Sequence, residues 1–505
     1  MNLLTILSMV EAGHEDRLVL GTPARGLTGG ELAAQARRGG RHLTEHGART
    51  LVFMGENGLA FPLALFAASS AGIPFLPLNY RLAPEQLAAI VAKQDRPFII
   101  ADTAGQLGCD AAAGIVGIAE WAALVAQPEA VPGDAIDAAE PDPDDEAVLL
   151  MTSGTTAAPK SAILRHRHLV SYVLGTVDFG SAAEDDAVIV SVPPYHIAAV
   201  ANLLTNLYSG RRIVYLERFT AAGWLETVAA ERVTHAMVVP TMLARIVDEL
   251  KASDIAPAAE LRLRSLSYGG APLAPAILQR ALSLLPGVGF VNAYGLTETS
   301  SSIAVLGPDD HREAAASDDP AVRARLGSVG RPLPGIEIEV RDADGVICAP
   351  GLTGQIYVRG AQVAGEYRET GRVTDGDGWF STRDEGHLDA DGFLFVRGRA
   401  DDTIIRGGEN IAPAEIEEVI QQIPGVADVA VTGLPSEEWG QRIGAFIVPE
   451  PGVSLTDEQV RAYVQARLRS AKTPDLVVFL SELPHTATGK VLRRNLLALA
   501  EADTI

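Results

Sequence analysis

Cysteine is almost absent from this chain of 505 residues. Cys109 and Cys348 are the only two, which excludes a disulfide framework and a cysteine-rich metal cluster. Lysine is scarce as well: Lys93, Lys160, Lys251, Lys472 and Lys490 are all there are, and arginine carries nearly all other positive charge. No N-x-[ST] acceptor occurs, and the apolar start from Met1 to Glu11 lacks the basic flank and small-residue cleavage site of a secretion signal. These absences point to a cytoplasmic protein. Excess positive charge is missing too. With 41 basic and 64 acidic residues the formal charge is −23, which excludes general binding to nucleic acid or anionic membrane. Leu59 to Leu78 runs without a charge, but Pro62, Pro74 and Pro77 interrupt it and Ala71-Gly72 sits where a helix would stop. It reads as a buried helix and a buried strand (Ile73–Leu78), with no transmembrane segment.

What is present is enough apolar material, 47% of residues, for a large core, in a chain too long for one ordinary domain. Strand-like runs at Leu51–Gly55, Phe98–Ala101, Val148–Thr152, Ala187–Val192, Arg212–Leu216 and His235–Val239 alternate with helical patterns at Thr28–Gly47, Ala83–Lys93, Ala221–Glu231 and Pro240–Leu250. That order predicts mostly parallel sheets covered by helices. Gly133–Glu146 and Pro308–Leu326 read as polar loops. After about Arg331, short strands such as Glu337–Val340 and Gln355–Val358 with Gly and Asp turns predict a small β-barrel or β-subdomain, and from Gly398 a smaller α+β unit follows.

One segment carries chemistry on its face. Met151-Thr152-Ser153-Gly154-Thr155-Thr156-Ala157-Ala158-Pro159-Lys160 takes a strand into a hydroxyl-rich turn that ends on a lysine. Hydroxyls and turn N–H groups suit a triphosphate, and Lys160 adds a compact charge; the Walker pattern G-x-x-x-x-G-K is absent. His166 and His168, flanked by Arg165 and Arg167, read as the polar start of a helix, not a metal site. Lys93, Lys251 and Lys472 read as solvated charges.

The run 151–160 resembles the phosphate loop (roughly TSGTTGxPKG) of the adenylate-forming superfamily, which unites acyl-CoA synthetases, luciferases and peptide-synthetase adenylation domains. Further motifs of that superfamily follow in order: Leu78-Asn79-Tyr80-Arg81; Pro194-Tyr195-His196; Ser267-Tyr268-Gly269-Gly270-Ala271-Pro272; Asn292-Ala293-Tyr294-Gly295-Leu296-Thr297-Glu298-Thr299; Ser381-Thr382-Arg383-Asp384; Gly398-Arg399-Ala400-Asp401-Asp402; Arg406-Gly407-Gly408-Glu409-Asn410-Ile411; and Pro484-His485-Thr486-Ala487-Thr488-Gly489-Lys490. Together they span nearly the whole chain.

The resemblance implies an acyl-CoA synthetase fold with a large N-terminal domain, residues 1–398, of two helix-covered sheets and a small β-barrel. A mobile C-terminal lid, residues 399–505, would pivot near Asp402. It implies ATP, Mg²⁺ and coenzyme A as cofactors, and a hydrophobic non-amino carboxylic acid as substrate. Lys490, His196, Thr152 and Lys160 would be catalytic. Ser153, Gly154, Thr155 and Thr156 would hold phosphates, Gly270, Ala271, Pro272, Tyr294 and Gly295 the adenine side, Asp384 and Arg399 the ribose, and Glu298, next to Thr297, the Mg²⁺; Asn292, Ala293 and Thr297 would be cofactor-binding as well. Gly407 and Gly408 would line the pantetheine tunnel.

Four positions depart from the pattern: Ala157, Ser161, Arg383 and Ala199 each stand where glycine is usual. The two in the phosphate loop keep an alternative open, a ligase weak in adenylation that passes preformed acyl-adenylate to CoA. Loading of a carrier protein in place of CoA is a second alternative. A non-enzymatic scaffold is a third, opposed by the presence of Lys490, Glu298 and Asp384.

Overall fold

The computed structural model describes residues 1–102, 111–127, 140–152, 160–252, 261–399, 402, 404–406, 409–436, 440–468, 470–486 and 491–502. Ser153, Gly154, Thr155, Thr156, Ala157, Gly407, Gly408 and Lys490 lie outside the described residues.

Two large sheets are built mainly from the first 332 residues, with two short later strands added. One runs Arg331–Pro332, Ser301–Leu306, Gly289–Leu296, Ser265–Gly269, His235–Val238, Ala187–Val190, Arg212–Tyr215, Leu18–Thr22 and Arg25–Thr28. The pairs from Gly289–Leu296 across to Leu18–Thr22 are parallel. The other runs Gly371–Arg372, Glu366–Tyr367, Lys160–Arg165, Glu146–Thr152, Phe75–Pro77, Thr50–Met54, Pro97–Ala101 and Gly114–Val116. Parallel strands buried on both faces need continuous apolar runs, and Thr50–Met54 and Pro97–Ala101 are buried at every position.

Local chemistry sets the boundaries. The helix Gly29–Glu45 starts where Thr28 and Glu31 satisfy each other's backbone: Glu31 N–H donates to Thr28 Oγ1 at 3.2 Å and Thr28 N–H to Glu31 Oε2 at 2.9 Å. The uncharged stretch resolves into the helix Ala60–Ser70, buried from Ala60 to Ser69, and the strand Phe75–Pro77. Among the described residues no helix is long and apolar enough to cross a membrane.

The small β-unit expected after Arg331 is a four-stranded antiparallel sheet, Ile336–Arg341, Gly354–Gly360, Phe380–Leu388 and Leu394–Arg399. The α+β unit follows, with Glu409–Ile411, Ile404–Arg406, Gly440–Pro449 and Val426–Ser436 in one sheet and Leu476–Phe479 beside Gly440–Pro449. Its apolar clusters draw only on residues from Ile404 to Ala500, while the clusters of the preceding chain stop at Val396.

Two sequence readings fail here. Pro308–Leu326 is not a loop: it contains the helices Pro308–Ala316 and Pro320–Ala324. Pro308 opens the first, Gly307 N–H donates to Asp310 Oδ2 at 3.2 Å, and His311 is buried against the Tyr268 hydroxyl at 2.9 Å. That last contact is tertiary and leaves no local signal. Lys472 is not solvated; its Nζ reaches both oxygens of Glu415 at 2.6 and 2.5 Å. His166 and His168 do start the helix His166–Thr176, but their rings are buried, and burial pushes them down to about 4 and about 3. Leu3 N–H donates to His166 Nδ1 and Arg165 N–H to His168 Nδ1, each at 3.3 Å.

Candidate active site

In open parallel sheets, ligands collect at the carboxyl ends of the strands, where loops and exposed backbone groups converge. In the first sheet those ends lead into Ser191–His196 after Ala187–Val190, Val239–Thr241 after His235–Val238, Gly270–Pro272 after Ser265–Gly269, and Thr297-Glu298 after Gly289–Leu296. In the second sheet Glu146–Thr152 leads into residues 153–159. The described motif residues at the strand ends of the first sheet therefore share one edge of that sheet.

Thr152 and Lys160 are direct partners in an antiparallel ladder, so the two ends of the phosphate loop are held side by side. Thr152 Oγ1 donates to Lys160 O at 3.5 Å. Lys160 Nζ lies 5.4 Å from the centre of the Tyr367 ring, a cation–π contact. The Tyr367 hydroxyl in turn donates to Glu298 Oε1 at 2.6 Å. Burial and the Glu298 carboxylate push this phenol up, so it stays a donor. Glu298 is buried at 8% exposure, in the one-turn 3₁₀ helix Thr297–Thr299. Tyr367 was missed by sequence reasoning; its partner lies 69 positions away.

A second pair sits on the four-stranded sheet. Asp384 and Arg399 are register partners on adjacent strands, and Arg399 Nε meets Asp384 Oδ1 at 3.1 Å. Tyr294 donates its hydroxyl to Asp384 Oδ2 at 2.5 Å, so the end of Gly289–Leu296 is tied to the ribose motif. Burial first, then the Asp384 charge, hold the Tyr294 phenol protonated. Asn292 Nδ2 donates to Ser328 O at 3.0 Å. Ala293 pairs with Gly269 across the parallel ladder.

Of the expected site glycines, the two that are described have different reasons. Gly270 has φ +86°, and a Cβ there would meet only Val239 Cγ1 at 3.9 Å; its near face is open for a ligand. A Cβ at Gly295 would fall 1.9 Å from Ser301 O, so the absence of a side chain there is demanded by its own hairpin. Of the neighbours, Ala271 is half-buried and Pro272 exposed.

The departures become legible. Arg383 has φ +60°, the left-handed region, which explains why glycine is usual at this position. An arginine there costs on the order of 1–2 kcal/mol of backbone strain. Ser161 points at Glu369: its N–H donates to Glu369 Oε2 and its hydroxyl to Glu369 Oε1, both at 2.9 Å, while Arg368 N–H donates back to Ser161 O at 3.0 Å. The hydroxyl is occupied in bracing the strand, and Glu369, 208 positions distant, could not be foreseen.

His196 precedes the helix Ile197–Ser209 with its ring 4.5 Å from that of Tyr195. Burial pushes it down to about 4, so the imidazole is neutral at physiological pH, and its Nε2 is buried without a partner among the described residues. The Tyr195 hydroxyl is likewise unpartnered and pushed up to about 12 by burial. Beside this segment, a cavity of 470 Å³ is lined by Tyr80, Arg81, Pro194, Met242 and Arg245, together with His485 and Thr486 from the lysine motif.

At the junction, Asp402 Oδ2 meets Arg493 Nη1 at 3.1 Å, and Arg493 Nη2 meets Glu417 Oε1 at 2.7 Å. The strands Ile404–Arg406 and Glu409–Ile411 pair with Arg406 opposite Glu409, so the chain between them is Gly407-Gly408.

Comparison with known proteins decides the family. The profile of the AMP-binding enzymes matches residues 9–368, and that of the AMP-binding enzyme C-terminal domain matches residues 415–490. The chain belongs to the AMP-binding enzyme family. Among its relatives, indoleacetate–CoA ligase of Aromatoleum aromaticum is 32% identical, with 95% of each chain covered. ATP-bound MatB from Rhodopseudomonas palustris has a TM-score of 0.87 at 26% identity over 99% of both chains. The o-succinylbenzoate coenzyme A synthetase MenE from Bacillus subtilis, in complex with ATP and magnesium ion, has a TM-score of 0.80 at 28% identity, over 97% of this chain and 98% of that one. The chain is an AMP-forming acid–thiol ligase that works with ATP, Mg²⁺ and CoA. The side chains fit those groups. Glu298 is a hard oxygen donor, bonded to Tyr367 beside Lys160. Among the described residues there is no group of three or more His, Cys, Asp or Glu that could hold a metal ion.

Proposed function

We propose that this chain is a complete acyl-CoA ligase: it activates a carboxylic acid as its acyl-adenylate and transfers the acyl group to CoA. The observation that carries the reading is the pairing of two tyrosine-bound carboxylates on one edge, Asp384 with Tyr294 and Arg399, and Glu298 with Tyr367 beside Lys160. Asp384 and Arg399 receive the ribose, Gly270 to Pro272 and Asn292 to Gly295 border the adenine, and Thr152 through Lys160 meets the phosphates. Glu298 with Thr297 would hold Mg²⁺, which supplies charge neutralisation at the phosphates. His196, neutral and with a ring nitrogen that has no partner among the described residues, borders the place of the acid.

In the first half-reaction the acid carboxylate attacks the α-phosphate and pyrophosphate leaves. Lys160 and Lys490 stabilise the developing charge. In the second, the CoA thiol attacks the adenylate carbonyl and AMP leaves. Residues 399–505 form the lid, and the lid pivots at Asp402 between the two steps, exchanging Lys490 for the Gly407-Gly408 connection. His485 and Thr486 on the cavity wall support this, since the lysine motif already borders the place where acid and thiol must meet. We place the enzyme in the cytoplasm.

The arginines of the cavity make its wall mixed, so the acid combines an apolar body with a polar group more readily than a plain hydrocarbon chain would fit. The reading with weak adenylation loses one support, because Ser161 faces Glu369. The test is pyrophosphate release and thioester formation, with and without CoA, across aliphatic, aromatic and dicarboxylic acids. Acid-dependent pyrophosphate release followed by CoA thioester is expected. No release with any acid, but thioester from supplied acyl-adenylate, would replace this reading with the transfer-only one, and thioester only on a carrier protein would replace CoA as acceptor.

A further inference from the structure

Lys160 and Glu298 carry opposite charges and touch the same side chain, yet they do not pair with each other. Lys160 Nζ lies 5.4 Å from the centre of the Tyr367 ring, and the Tyr367 hydroxyl donates to Glu298 Oε1 at 2.6 Å. Among the described residues neither Lys160 nor Glu298 forms an ion pair. A lysine beside a carboxylate ordinarily closes on it, because the charge-assisted bond is the strong one. Lys472 does so in this same chain, reaching both oxygens of Glu415 at 2.6 and 2.5 Å with no ring between them.

Tyr367 is itself held by its chain neighbours. It pairs with Ala162 on the strand Lys160–Arg165. Before it, Glu366 takes two bonds from Arg165, at 3.0 and 2.8 Å. After it, Arg368 N–H donates to Ser161 O at 3.0 Å, and its Nη1 donates to Gln94 Oε1 at 3.0 Å. Successive side chains of a strand leave on opposite faces, so anchoring Glu366 toward Arg165 sends Tyr367 the other way. The preceding residues grip the turn of Glu298. Ala364 and Gly365 N–H groups donate to Glu298 O at 2.9 and 3.2 Å, and Gln362 Nε2 donates to Thr299 O at 2.9 Å and Ser302 O at 2.8 Å. Residues 362–369 thus bridge the two large sheets, from the turn that carries Glu298 to the strand that begins at Lys160.

We propose that Tyr367 is a positioning residue that acts as a spacer: its ring holds the Lys160 ammonium and its hydroxyl holds the Glu298 carboxylate, so that the two stay apart. This rests on the reading of Lys160 as a phosphate contact and Glu298 as the Mg²⁺ ligand. A lysine–carboxylate pair offers no net charge to a ligand. Kept apart, the two groups offer a cation to phosphate oxygens and an anion to the metal. Tyrosine can do both, because its face attracts a cation and its hydroxyl donates to a carboxylate. Phenylalanine supplies only the face, and leucine supplies neither.

Tyr367→Phe and Tyr367→Leu separate the two contacts. The measurements are calorimetric affinity for ATP with and without Mg²⁺, thioester formation from supplied acyl-adenylate, and thermal melting. In Tyr367→Phe, affinity for ATP alone is expected near wild type, while the gain in affinity that Mg²⁺ confers falls about tenfold, the loss of one hydrogen bond to a charged group. In Tyr367→Leu, affinity for ATP alone falls about tenfold as well, because Lys160 closes on Glu298. Adding Glu298→Gln to Tyr367→Leu restores affinity for Mg²⁺-free ATP, and by more than the same change does in the wild-type chain, since glutamine cannot neutralise the lysine. Thioester formation from supplied acyl-adenylate, which uses neither metal nor triphosphate, is retained in both single variants. Wild-type affinities in both single variants overturn the proposal. So does an equal gain from Glu298→Gln in the two backgrounds, since no ion pair would then have formed. Losses of ATP affinity and of thioester formation in parallel with melting also overturn it, and would make Tyr367 a residue of folding alone. The wild-type chain separates the two levels: no ATP binding sinks the proposed function, whereas ATP binding with unaffected variants sinks only the role of Tyr367.

Discussion

At the nucleotide edge, Asp384 and Glu298 are buried and take short bonds from Tyr294 and Tyr367. In the C-terminal unit, Asp402 and Glu417 meet Arg493 in part-exposed ion pairs. The difference is one of replaceability. A buried carboxylate loses its solvent and needs fixed donors, and strands supply them by register: Asp384 faces Arg399 across a ladder. A part-exposed pair near a junction is worth little net energy, because water competes for both partners, so it can break and re-form elsewhere. On the proposed function, one region holds a ligand in place and the other moves.

The largest test of this contrast is Lys490→Ala. Adenylate formation should fall by roughly 10²–10³, the usual loss of one transition-state donor, while thioester formation from supplied acyl-adenylate stays near wild type. Equal loss in both half-reactions would mean that the lid does not exchange its residues between steps.

Acid should act on the large region far more than on the small one. His166, His196 and His235 are pushed down to about 4 and His168 to about 3, all by burial, and all four precede residue 399. Their folded values lie below the ordinary value of 6.5, so between pH 6.5 and 4 the unfolded chain binds more protons. Stability present above pH 6.5 is therefore lost as pH falls through that window, by at most about 1.4 kcal/mol per pH unit for each histidine. Urea unfolding at pH 7.5, 6 and 5 measures this. An unchanged midpoint would show that these rings are solvated.

Asp384→Asn should raise KM for ATP about tenfold and lower stability by about 2 kcal/mol, because Arg399 and the Tyr294 hydroxyl lose a charged acceptor. Loss of stability without change in KM would make Asp384 a structural residue of the sheet. Arg493→Met removes the ties to Asp402 and Glu417 and should change the ratio of the two half-reaction rates a few-fold, with less effect on nucleotide binding than Asp384→Asn. An equal effect on nucleotide binding would erase the distinction between the regions. Ser161→Gly is the smallest: it breaks the hydroxyl bond to Glu369 and should lower stability by about 1 kcal/mol without speeding adenylation. Faster adenylation would show that the serine obstructs the phosphate loop.

The order of the motifs, the strand and helix periods and the cap at Thr28 were all present in the sequence. Each is set by residues within a few positions of one another, where propensity and turn chemistry act. From them came the expectation of helix-covered parallel sheets followed by a smaller α+β unit, and the assembly of Thr152, Lys160, Glu298, Asp384 and Arg399 near one site. The tertiary structure alone decided that Tyr367 would serve Glu298, that Glu369 would brace Ser161 across 208 positions, that Lys472 would be paired, and that Pro308–Ala316 would fold as a helix against Tyr268. It also showed that Arg383, where glycine is usual, has a left-handed backbone. Those outcomes depend on which surfaces the sheets bring together, and a burial or a hydrogen bond between distant residues has no period or spacing by which the chain could announce it.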